Sequence, residues 1–145
     1  MKYTNLFFIG CFLVIGCAVK NKRDVGSRSI QQDSSFQAFF LQFSGDSLFQ
    51  ISRIQFPLKY SYFEGYSDSL MVERIEVNDW NYIDFKDDSL AYKNIEDAYQ
   101  IHFIEKGQDR VEYLRKGIDN GINMNYAFKR IVSQWFLVEI VDRSN

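Results

Sequence analysis

His102 and a scatter of Asp and Tyr residues are the side chains of this sequence best suited to acid–base chemistry. His102 is the only imidazole and lies between Ile101 and Phe103. In a strand it falls on the face opposite Tyr99, Ile101 and Phe103, so it points to solvent if their face lines the core. A general base needs a carboxylate or phenol at hydrogen-bond reach, and nothing in the local sequence guarantees one. His102 therefore reads as a plain strand histidine. Asp and Tyr can move protons without an imidazole when burial shifts their pKa values apart. The candidates are Tyr99, Tyr113 and Tyr126 on strands, with Asp84 or Asp97 at element ends. Each of those Asp residues has a charged residue within two positions, Lys86 for Asp84 and Glu96 for Asp97, the pattern of a solvated carboxylate, and the chain is expected not to be an enzyme.

The aromatic side chains form a second set, with 14 Phe, 9 Tyr and 2 Trp in 145 residues. Phe40, Trp80, Tyr113 and Tyr126, with Phe36 and Phe128, can line a pocket for an apolar ligand. The competing reading is that they fill a core, which is what Phe at helical spacing does first. Arg110, Arg115, Lys116, Lys129 and Arg130 alternate with Asp109, Glu112 and Asp119, which predicts a mixed solvated face rather than a nucleic-acid surface. No Gly-rich phosphate loop, zinc spacing, calcium loop or nucleophile elbow occurs, and neither a metal nor an organic cofactor is expected.

Cys17 carries the most specific motif. Residues 1–16 combine Lys2 with an apolar run from Leu6 to Ile15, the length of a signal-peptide core and short of a membrane span. Val14-Ile15-Gly16-Cys17 then looks like a bacterial lipobox, in which the thiol takes a diacylglycerol before cleavage. Gly16 lets a peptidase approach the backbone. Lipidation at Cys17 would hold the protein on a membrane, since each buried CH₂ contributes about 0.8 kcal/mol. Cys11 leaves with the signal, so no free thiol, disulfide or thiolate metal site is expected.

Residues 17–33 then read as the lipidated Cys17 and a polar, basic tether. Lys20, Lys22, Arg23 and Arg28 oppose Asp24, whereas from Asp33 onward 12 Lys plus Arg face 18 Asp plus Glu. The near-neutral total of −2 thus hides a basic stalk under an acidic head. The basic residues directly after Cys17 favour a periplasm-facing position in a Gram-negative cell envelope over surface exposure.

Residues 34–145 are expected to form one α+β domain. Phe36, Phe39, Phe40 and Phe43 predict a helix over about 34–44, capped by Asp33 or Ser34. Asp46 or Ser47 caps a second helix that must end before Pro57. Leu58–Phe63 and Leu70–Val77 read as a hairpin, Trp80–Phe85 as a short helical piece, and residues 86–89 as a polar loop. Tyr99–Ile104, Val111–Ile118, Ile122–Val132 and Trp135–Val141 read as four successive strands. Asn120-Gly121 and Ser133-Gln134 are the expected turns between the later ones. Helices followed by a meander predict N-terminal helices packed on a strongly curved antiparallel sheet, a cone.

The string Phe36-x-x-Phe39-Phe40-x-x-Phe43, then Asp46, Phe49-Gln50, Arg53-Ile54 and Phe56-Pro57-Leu58, resembles an uncharacterised family of small gut-bacterial envelope lipoproteins. The strand endings around Trp135 and Asp142 are similar too. That resemblance implies a nuclear transport factor two-like, or cystatin-like, cone with a pocket, and carries no catalytic residue with it. The expected function is a membrane-anchored lipoprotein with a non-enzymatic binding or assembly domain, its partner a small apolar ligand or an envelope protein. Two alternatives stand beside it: an isomerase or dehydratase using an Asp/Tyr pair in the cone, and a dimeric structural protein.

Overall fold

Phe36, Phe39 and Phe43 turn one side of the first helix, α1 (Phe36–Phe43), into a buried stripe that the sheet wraps. The computed structural model describes residues 35–65, 69–86, 88 and 98–145. The expected signal sequence, Cys17, the expected tether and Asp97 lie outside the described residues. The cap of α1 is Ser35, one residue later than expected, because its Oγ is the oxygen that reaches the Ala38 N–H, at 3.2 Å. Asp46 caps α2 (Ser47–Ser52) by accepting from Leu48 and Phe49 N–H, both at 3.0 Å. Phe39 and Phe43 are fully buried, each worth roughly 1.5–3 kcal/mol of transfer free energy.

Six strands follow: β1 (Ile54–Phe63), β2 (Leu70–Ile75), β3 (Tyr99–Glu105), β4 (Arg110–Gly117), β5 (Asn123–Ile131) and β6 (Gln134–Asp142). They form one curled, open sheet in the order β2-β1-β6-β5-β4-β3. The α+β class and the helix-on-sheet plan are as expected. The sheet is mixed rather than wholly antiparallel, because β1 lies parallel to β6. Its ladder with β6 is interrupted between Ile54 and Lys59, where Pro57 has no N–H to give.

The turns differ in detail from their sequence signals. Asn120-Gly121 does not make a two-residue hairpin; the positive φ is at Asp119, 56°. The Asn120 side chain holds a wider loop, donating to Ala98 O at 2.8 Å and accepting from Ile122 N at 3.1 Å. Between β5 and β6 the turn residues are Val132 and Ser133, with φ of 46° and 69°. Trp80–Phe85 is not helical. The helical turn there is a three-residue 3₁₀ piece at Val77–Asp79.

This last difference follows from topology. β2 and β3 are consecutive in sequence yet occupy opposite edges of the sheet. The chain between them must cross five inter-strand spacings, roughly 24 Å. It passes under the α1–α2 corner in extended form, where Gln50 holds it. The fully buried Gln50 amide donates to Ile83 O at 2.9 Å and to Phe43 O at 3.1 Å, and accepts from Ile83 N at 3.0 Å. Tyr82 adds a bond from its hydroxyl to Ser44 O, 2.8 Å. A side chain thus stands in for a neighbouring strand.

A candidate ligand site ending in a buried carboxylate

The crossing segment delivers Phe85 and Asp88 to the inner face of β4, where Val111, Tyr113 and Arg115 point inward at alternate positions. Asp88, expected in a polar loop, is only 2% exposed. Both of its oxygens are fully engaged. Tyr99 donates to Oδ1 at 2.5 Å, Tyr113 donates to Oδ2, and Arg115 meets both oxygens through Nη2 and Nε. The other guanidinium nitrogen, Nη1, donates to the Tyr126 hydroxyl at 2.9 Å.

Rings enclose the guanidinium. Its carbon lies 4.9 Å from the Phe85 centroid, 5.2 Å from Tyr126 and 5.7 Å from Tyr99. Arg115 is thus not part of a solvated face, as its charged neighbours suggested. It shares the parity of Val111 and Tyr113. By contrast Arg110 and Lys59 meet Glu112 and Glu139 on the outer face, the reading expected for the charged strands.

The electrostatics hold the phenols neutral. Burial first, and then the bond to Asp88, push the Tyr99 hydroxyl up to about 12. Tyr113 is driven higher still by the same two causes in the same order. Burial raises Tyr126 to about 12 against the opposing pull of Arg115. Burial works against the Arg115 charge, but the facing Tyr126 oxygen and the Asp88 carboxylate outweigh it, and its pKa is raised. At physiological pH the phenols are therefore hydrogen-bond donors rather than acids.

Above this cluster a cavity of about 530 Å³ opens between α1 and strands β3 and β4. Phe36, Phe40, Phe85, Ile101 and Val111 form its walls, with Tyr113 and Asp88 at the inner end. The rim carries Gln37, Leu41, Lys86, Phe103 and Glu105, all exposed. The Lys86 side chain lies directly over Gly45, where the absence of a Cβ leaves room for it.

Of the residues expected in a pocket, the fold brings Phe40 and Tyr113 to the wall, with ring centroids 5.0 Å apart. Tyr126 lies behind the wall, as the partner of Arg115. Trp80 is elsewhere, packed on Phe56 at 6.2 Å, because the crossing segment has not yet reached the cavity at that residue. Phe128 is core, with ring centroids 5.8 Å from Phe39 and 5.2 Å from Phe43. Asp84 is exposed and caps a turn through Lys86 N–H, 2.8 Å. His102 is exposed on the outer face, opposite Leu114. Sequence reasoning missed Asp88 and Arg115. The one signal that could have found them is a cation two residues after Tyr113 on an inward face, which demands a buried anion.

A family model described as a domain of unknown function, DUF4348, matches residues 20–142. The chain belongs to that family. No curated protein is significantly similar to it. Among solved structures, an NTF2-like protein from Bacteroides fragilis is 26% identical with a TM-score of 0.54, over 76% of this chain and 47% of that one. The DUF4348 chain thus spans about half the length of that relative. A cystatin-like protein from Bacteroides caccae is 18% identical with a TM-score of 0.53, over 73% of this chain and 74% of that one. A protein from Bacteroides uniformis, solved by NMR, is 16% identical with a TM-score of 0.53 over the same shares. At those identities the last two show the fold alone.

Proposed function

We propose that this DUF4348 protein is a lipoprotein of the Gram-negative envelope, anchored through Cys17 and facing the periplasm, whose domain binds a small apolar ligand without transforming it. The observation that carries the reading is the half-open cavity of about 530 Å³ with apolar walls. That size suits a small molecule. Among the described residues no helix is long and apolar enough to cross a membrane; the anchor in this reading rests on the Val14-Ile15-Gly16-Cys17 motif.

A second reading, an isomerase or dehydratase, has one observation in its favour: Asp88 and Tyr113 meet at the inner end of the cavity. Against it, a general base needs a free lone pair, and the Asp88 oxygens already accept from two phenols and an arginine fork.

The test is mass spectrometry of small molecules extracted from the lipoprotein after native purification, beside an Ile101→Trp variant that fills the cavity. An apolar species carried by the first and lost from the second is expected. Identical extracts would sink the binding reading. Cys17→Ser should abolish lipid labelling and membrane retention; a labelled, membrane-bound variant would overturn the anchor.

A further inference from the structure

Resting on that cavity and anchor, we propose that the site takes a linear acyl chain, tail first, from an amphiphile whose head group stays at the rim. The packing of the lining rings favours a flexible chain over a flat ring system. Phe40, Phe103 and Tyr113 pack on one another, with centroids 4.9–5.2 Å apart. The Phe85 face is covered by the Arg115 guanidinium at 4.9 Å. Part of the ring surface around the cavity is thus taken up by the rings themselves and by Arg115. A flat aromatic ligand seeks an open ring face to stack on, whereas methylene groups pack against edges without directional demand.

Charge sets the direction of entry. At the inner end the Asp88 charge is already matched by Arg115, so a charged head buried there would find no counter-charge and would pay its full desolvation cost. The rim carries the polar side chains of Gln37 and Glu105, where a head group can stay in water. It also holds two apolar residues where water reaches them: Leu41 is 74% exposed and Phe103 52%. Such a lip suits a chain that slides in from an apolar phase.

The anchor supplies that phase. The tether ends at Ser35, the cap of α1, and α1 itself forms one wall of the cavity. Whatever its conformation, the chain from Cys17 to Ser35 spans at most about 60 Å at roughly 3.3 Å per residue, so the mouth cannot leave the neighbourhood of the bilayer. An acyl chain could reach it from a membrane phospholipid or from a free fatty acid, and the experiment separates these sources.

The lipidated full-length protein is reconstituted in vesicles of phosphatidylethanolamine and phosphatidylglycerol. It is irradiated in three arms: with a phospholipid bearing a diazirine in its acyl chain, with a diazirine fatty acid, and with a diazirine-bearing anthracene. Cross-links mapped by mass spectrometry to Phe40, Ile101 or Tyr113 are expected with an acyl probe, and the arm that gives them names the source. Ile101→Trp should lose those cross-links. Leu41→Glu, an exposed change that leaves the core alone, should weaken them where the first variant proves unstable. Cavity cross-links from the anthracene probe alone would overturn the chain proposal and leave the binding reading standing. No cavity cross-links in any arm would overturn both.

Discussion

Arg115 meets Asp88 side-on, with Nε 2.9 Å from one carboxylate oxygen and Nη2 2.9 Å from the other. The two belong to parts of the chain with nothing local in common: an inward position of β4, and the segment crossing from one sheet edge to the other. Side-chain exposures of 14% and 3% place the pair out of water. Their value to the fold lies in mutual dependence. Either charge alone would be stranded, and together they tie the crossing segment to the sheet.

Replacing Arg115 with Leu should therefore destabilise the domain by about 3–5 kcal/mol, the cost of leaving an uncompensated buried charge. Arg115→Lys keeps the charge and loses the two-pronged geometry, so its urea midpoint should fall between those of the wild type and the Leu variant. Asp88→Leu combined with Arg115→Met should recover only part of the loss, because the buried Tyr113 hydroxyl then lacks its acceptor. A double variant no more stable than Arg115→Leu alone would show that the pair is not coupled in this way.

Alkaline titration should reveal the phenols around the pair. Unfolded, Tyr99, Tyr113 and Tyr126 ionise near 10; folded, Tyr99 and Tyr126 wait until about 12 and Tyr113 later still. The folded state thus holds protons that the unfolded state releases, and this stabilisation is complete below pH 10 and fades as pH rises towards 12. Urea midpoints measured across that interval should decline, and Tyr113→Phe should flatten the decline. A midpoint independent of pH there would contradict the assignment.

Gln50→Leu preserves volume and removes the amide that pairs with Ile83 and Phe43. Each partner left buried and unpaired costs about 1–3 kcal/mol. Beyond a lower melting temperature, hydrogen exchange of the Ile83 N–H should accelerate, because that proton has the Gln50 carbonyl as its acceptor. Unchanged Ile83 protection would mean that something other than Gln50 holds the crossing segment.

Val132 is a β-branched residue at φ 46°, and its side chain is 93% exposed. It carries the strain of a left-handed backbone, about 1–2 kcal/mol, without compensating burial. Val132→Asn or Val132→Gly should raise the melting temperature, while Val132→Ile should not.

The strands and the first helix were legible because their signals are periodic: Phe36, Phe39, Phe40 and Phe43 for the helix, alternating apolar residues for the meander. Periodicity fails where a residue owes its burial to topology. Asp88 follows Lys86 and Asp87 in a run that reads as solvent-exposed, and only the crossing between opposite sheet edges takes it inside. Trp80 is illegible for the complementary reason, since its aromatic character says that it will be covered but not by what. The parallel β1–β6 pair was equally silent, because nothing near Tyr60 in sequence announces Ile140.

That pairing also fixes the order in which the molecule can be finished. β6 is made last yet lies third in the sheet, between β1 and β5, and its salt bridge from Glu139 reaches back 80 residues to Lys59. The β1–β2 hairpin and the hairpins of β3 to β6 can form from local contacts as they emerge, whereas the join between β1 and β6 must wait for the last strand. A chain emerging N-terminus first would thus leave one edge of β1 unpaired until the final strand arrives to lock the sheet.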